Sequence, residues 1–281
     1  MVERGVDRLM KYEEDLEDVQ MPVIDINGAG RFSIPKLGGG NIAGNGRISP
    51  EEVVVNGAGY LPGGIKVNSV RASGSVTFRG DLKAEKMRLM GSTNVHGGVY
   101  FNEITTSGSI KIGGNAIGNT MKVNGSGSFG ENIELGRSLV IDGSMTVGGE
   151  ITAKEFVELD GSMDVDGKLT TGAFNAELCL YRSHIEGGIE AESVDIRKGY
   201  RRVWTPRFIL RLVTGKRGEG DLRTTDITAK TSVYLENVIC ENVTGGDVTL
   251  GEGCEIRGRV RYLGSMDVHA DALVHNPPEK I

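Results

Sequence analysis

Apolar residues along this chain recur in pairs two positions apart, a spacing that turns both side chains of a short extended segment to one face. Val76/Phe78, Leu82/Ala84 and Met87/Leu89 form one set of three pairs, and Thr93/Val95, Val99/Phe101 and Ile104/Thr106 form the next. The sets superpose pair by pair. Met145/Val147, Ile151/Ala153 and Val157/Leu159 repeat the arrangement, and from Val248 the pairs come every six residues: Val248/Leu250, Cys254/Ile256, Val260/Tyr262, Met266/Val268 and Ala272/Val274. If each pair is one wall, three walls make one turn. The predicted fold is an all-β, single-stranded parallel β-helix, a β-solenoid whose three-sided coils are 17 to 18 residues long.

Glycines supply the punctuation. Gly57, Gly74, Gly91, Gly108, Gly125, Gly143 and Gly161 head successive units at intervals of 17, 17, 17, 17, 18 and 18 residues. Asn56, Ser73, Met90, Ser107, Asn124, Asp142 and Asp160 precede them, and each pair reads as a tight corner in which glycine and a small polar neighbour accept positive φ. With coils stacked about 4.8 Å apart, residues 21–276 would make roughly 12 to 13 coils and a rod about 60 Å long. The ends of such a stack carry open backbone donors and acceptors, which must be capped, charged or used for assembly.

Two stretches break the pattern. Residues 1–20 place Val2, Val6, Leu9, Leu16 and Val19 at near-helical spacing with seven acids against three bases, which reads as an acidic tail or short helix. Residues 197–223 interrupt the rod with nine bases, two acids and the only Trp, Trp204. Residues 277–281 read as a C-terminal tail whose Pro277 and Pro278 donate nothing to a ladder and so blunt the last edge.

Composition narrows the options. Gly is 43 of 281 residues against only 7 Pro, which excludes collagen and argues against a Pro/Gly-rich disordered chain. A hydrophobic fraction of 38% with 5% aromatic residues suits a thin stacked core. The net charge of −6 is mild, so anion binding is confined to a local patch and nucleic acid is not an expected partner. Cys179, Cys240 and Cys254 lie at no metal-site spacing, and no secretory leader pattern opens the chain, so a reducing cytoplasm is the expected compartment. No apolar run approaches the roughly 18 residues a spanning helix needs, which leaves peripheral attachment at the inner face of the cell membrane as the only membrane role considered.

The walls and corners, and above all the closing segment VYLENVICENVTGGDVTLGEGCEIRGRVRYLGSMDVHADALV from Val233, resemble the bactofilin-like polymer-forming cytoskeletal proteins of bacteria and archaea. The resemblance covers most of the chain. It implies a right-handed three-sided β-helix that polymerises end to end without nucleotide or other cofactor, often at the membrane, as a scaffold for other proteins. The basic insertion and the greater length depart from that family's minimal core.

Catalytic readings are weaker on residue grounds. A hexapeptide acyltransferase needs a strict six-residue period and a paired His base, whereas His96, His184, His269 and His275 stand singly. Asp142 and Asp160, with Asp164 and Asp166 nearby, suggest a cation site, but the first two occupy the corner slot that Asn56 and Asn124 fill elsewhere. Gly38-Gly39-Gly40-Asn41 lacks the aspartate of calcium-binding repeats. Cys240 and Cys254 read as small core hydrophobes. The expectation is therefore a non-enzymatic self-assembling scaffold subunit, the alternative a non-polymerising solenoid that binds or processes carbohydrate. Within the insertion, Trp204, Phe208, Ile209 and Leu212, ringed by Arg201, Arg202, Arg207 and Arg211, are the expected contact with an anionic membrane surface or an acidic partner.

Overall fold

The computed structural model describes residues 19–178, 181–199 and 220–281. The chain divides into two compact units, Met1–Ser138 and Leu139–Ile281. All regular structure among the described residues is β, and stacked parallel coils make it a β-solenoid.

In the first unit the strands are β1 (Ile24–Ile34), β2 (Gly38–Ile48), β3 (Glu52–Leu61), β4 (Ile65–Phe78), β5 (Leu82–Val95), β6 (Val99–Ile112), β7 (Ala116–Phe129) and the first part of β8 (Ile133–Val147). From β3 to β7 each strand pairs in parallel with the next, shifted by one coil, so that Gly57, Gly74, Gly91, Gly108 and Gly125 lie in one column. A strand such as β5 runs through all three walls without losing its ladder. Its inward residues Leu82, Ala84, Met87, Leu89, Thr93 and Val95 are buried, in the register read from the sequence. Thr106 fills an aliphatic position between Leu89 and Val123 and leaves a buried Oγ1 with no hydrogen-bond partner among the described residues.

The corner works differently from the expectation in one respect. Only the glycine takes positive φ, 106° at Gly91, while the polar residue before it stays in ordinary strand conformation. The steric reason is direct: a Cβ on Gly91 would run into the carbonyl oxygen of Gly74 one coil below. Side chains are excluded there by packing as well as by dihedral angle.

Residues 24–61 correct the parallel reading. β1 pairs antiparallel with β2, Ile24 opposite Ile48 and Ile34 opposite Gly38, and β2 pairs antiparallel with β3. Two tight turns cause the reversals. Lys36 adopts φ 65° in one, where the Leu37 amide donates to the Ile34 carbonyl. In the other, the Ser49 hydroxyl accepts from the amides of Glu51 and Glu52 beside Pro50. A full coil needs about 17 residues, and neither hairpin has enough chain to go round.

The second unit holds the rest of β8, then β9 (Ile151–Val165), β10 (Leu169–Leu178), β11 (Ser183–Ile185), β12 (Ile189–Lys198), β13 (Leu222–Thr224), β14 (Asp226–Leu235), β15 (Val238–Cys240), β16 (Asn242–Gly245), β17 (Asp247–Leu250), β18 (Glu255–Ile256), β19 (Val260–Tyr262), β20 (Met266–Val268), β21 (Leu273–Val274) and β22 (Glu279–Lys280). Every printed pairing among β9 to β22 is parallel, for example Val248 with Met266 and Ile256 with Val274. The glycine column stops at Gly161. Leu178 is its ladder partner in the next coil and Lys198 the one after, and both strands end there. Once a side chain occupies the corner the strand no longer bends through it, and the third wall becomes a separate short strand.

The insertion enters at that vacated corner. Its ladder flanks reach further in than the sequence reading had it, since Arg197 and Lys198 belong to β12 and Leu222 and Arg223 to β13. Residues 1–18, and with them the N-terminal tail or helix reading, lie outside the described residues. Glu279 and Lys280, expected in a free tail, instead pair with Arg261 and Tyr262, so the two prolines do not stop the ladder from resuming.

Replacing Gly91 with Ala is expected to lower stability by about 1–3 kcal/mol through the forced left-handed conformation and the carbonyl clash. Urea unfolding checks this, with Met90→Ala, at a side chain 60% exposed, as the control expected to leave the midpoint nearly unchanged.

Candidate assembly end

Among the described residues, no group of three or more His, Cys, Asp or Glu side chains is placed to hold a metal ion. His184 faces Asp164 across 3.9 Å at the surface, His269 faces Asp271, and His275 faces Glu255. These are dispersed pairs on outer faces. The insertion residues Arg201, Arg202, Trp204, Arg207, Phe208, Ile209, Arg211 and Leu212 lie outside the described residues. Their roots do not: the Gly199 amide donates to the Leu178 carbonyl, the Lys198 amide donates to Glu236, and Asp221 accepts from both Arg182 and Arg223 at 3.1 Å.

The most distinctive surface is the last coil. Val248 and Leu250 are buried because Met266 and Val268 stack on them, and Ile256 is buried under Val274. In the last coil the same wall positions are half-buried at Met266, Ala272 and Val274 and 39% exposed at Val268. Leu263, Leu273 and Ile281 stand 57%, 54% and 55% exposed around them. Single exposed aliphatics need no explanation, but contiguous ones at a strand edge mark an interaction surface. Among the described residues β20, β21 and β22 each have one ladder partner, so their outer edges are open.

Polar groups fix this end rather than soften it. The Asn276 amide donates to the carbonyls of Arg257 and Gly258, and Arg261 holds Glu279 at 3.3 Å. Glu255 is kept below its usual carboxylate range by its hydrogen bond from Arg257, with His275 adding to the effect. Lys280 takes an inward wall position above the Tyr262 ring, 5.9 Å from its centroid. The sequence reading named Met266, Val268, Ala272 and Val274 as walls but missed that they are uncovered. Pairing order alone does not say which coil has no neighbour.

Two recesses are present among the described surfaces. One, about 310 Å³, lies by Met21, Gly64 and Lys66, and the other, about 390 Å³, is a polar groove by Thr228, Thr244, Arg259 and Arg261. No protein-family model, no curated protein and no solved structure matches the chain.

Cys240 and Cys254 are buried within the stack, where the Cys254 thiol donates to the Leu235 carbonyl at 3.1 Å. Burial pushes both thiols up, Cys254 to about 11 and Cys240 further. A raised thiol pKa stabilises the fold fully below the unfolded value of about 8.5 and loses that contribution as pH rises through the folded values. In a Cys179→Ala background the native protein should resist thiol reagents at pH 8, and its melting temperature should fall between pH 8 and 10. The fall should shrink when Cys240 and Cys254 are both changed to Ala.

Proposed function

We propose that the chain is a non-enzymatic structural protein that assembles end to end, without nucleotide, into cytoskeletal filaments of the bactofilin-like kind that act as a scaffold in the cytoplasm. The observation that carries the reading is the last coil, where open strand edges surround the exposed side chains of Leu263, Val268, Leu273 and Ile281. Strand addition at such an edge supplies backbone hydrogen bonds for affinity and alternating side-chain pockets for register, with no cofactor. A second copy is the natural occupant because its coils repeat the same 4.8 Å spacing. The basic segment 197–223 supports a second contact, with an anionic membrane surface or a scaffolded protein, on charge alone: nine bases against two acids beside aliphatic and aromatic residues.

Val268→Asp with Leu273→Asp is expected to abolish sedimentable assemblies while leaving the melting curve close to the parent, since both side chains are more than a third exposed. Sedimentation and negative-stain microscopy read the result. A parent that stays monomeric across micromolar concentrations, at low and high salt, would sink the filament reading and favour the carbohydrate-binding monomer, with the Thr228–Arg261 groove as its place. On phosphatidylglycerol vesicles the parent should float, and deletion of residues 199–220 should remove that binding while leaving assembly intact.

A further inference from the structure

The first unit ends unevenly. Take the wall before the corner glycine as the second wall and the one after it as the third. On these two walls β3, β2 and β1 continue beyond β4, whereas on the first wall no strand among the described residues pairs with Ile65–Val67 on the side away from β5. The recess by Met21, Pro50, Gly64 and Val67 lies there instead. β3 alone would leave a regular spiral end, because it fills the second and third walls just ahead of the first wall of β4. β2 and β1 add two more layers to two walls out of three, a step of about 10 Å. β2 also meets β3 with the opposite sense to every coil contact that follows.

At the last coil the spiral ends one wall earlier in the cycle. β20 continues the second wall, β21 the third and β22 the first. The next position is a second wall, which is where β3 begins. We infer that the edge of β3 is the receiving surface for the last coil of a second copy, and that the β1–β2 hairpin is a removable cap lying on it. This rests on the assembly reading above and adds which surface receives the last coil and what competes for it.

The hairpin is thinly held. Its two strands have 11 residues each, of which only Ile34, Ile42 and Ile48 are buried, whereas six of the 14 residues of β4 are buried. Two-stranded ribbons are marginal alone, and weakly packed segments open first. An incoming β20 and β21 would restore parallel pairing to β3 and bring Val268 and Val274 over Val53, Val55 and Leu61, which are the buried residues of β3.

Ala43 and Ala58 face each other across β2 and β3, and both are exposed. A disulfide between Ala43→Cys and Ala58→Cys, in the Cys179→Ala background, would lock the cap. The reduced protein is expected to sediment as fibres, and the oxidised protein, folded by circular dichroism, to lose sedimentable material and remain as small species. Ile42→Asp, which undercuts the cap from within, should shorten the lag before assembly. Equal sedimentation of oxidised and reduced forms would overturn the cap while leaving assembly standing. If reduced protein and parent both stay soluble, the assembly reading fails and the cap fails with it.

Discussion

The close approach of successive coils at the corner glycines is the constraint on which the first unit depends. A Cβ on Gly91 or Gly108 would collide with the carbonyl of the glycine one coil below, so those positions admit no side chain at all. Because the chain bends there without losing its ladder, one strand serves three walls, and the inward aliphatics of neighbouring coils fall into register from Gly57 to Gly125. Each fully buried aliphatic then contributes about 1.5–3 kcal/mol, repeated coil after coil. Where Leu178 takes the corner slot in the second unit, the strand ends, and the third wall is rebuilt from short strands such as Ser183–Ile185.

That change has consequences for chemistry. A glycine corner leaves no room for elaboration, whereas a corner without glycine tolerates added chain, and the basic insertion enters between Lys198 and Leu222. The stacked arrangement also directs polar groups outward as isolated pairs, Lys168 with Glu190 and Lys230 with Glu192, rather than converging them on a reacting centre. What such a stack does offer is a pair of ends. At one end aliphatic wall residues lack a covering coil; at the other a polar, glycine-rich hairpin covers the wall.

Much of this was legible in the sequence. The wall pairs and the 17-residue glycine interval are local signals, each tied to a steric demand, and they place Leu82 to Val95 on three walls without ambiguity. Strand direction is not a local signal. Period-two alternation is the same in parallel and antiparallel strands, so Ile24 to Ile48 read as coils although the turns at Lys36 and Pro50 reverse the chain. Those turns were the available clue, because a segment of 11 residues cannot complete a three-walled coil. The assembly end was illegible for another reason. Val268 has the same pattern as Leu250, and only the stacking of coils distinguishes a covered wall from an open one.

The account holds that coils of one copy stack on coils of the next along a common axis. Fibre diffraction from aligned polymers of the purified protein tests this most directly. Stacked coils predict a meridional reflection at about 4.8 Å, with strands perpendicular to the filament axis. A strand-spacing reflection on the equator, which would place the coil axis across the filament, would contradict it.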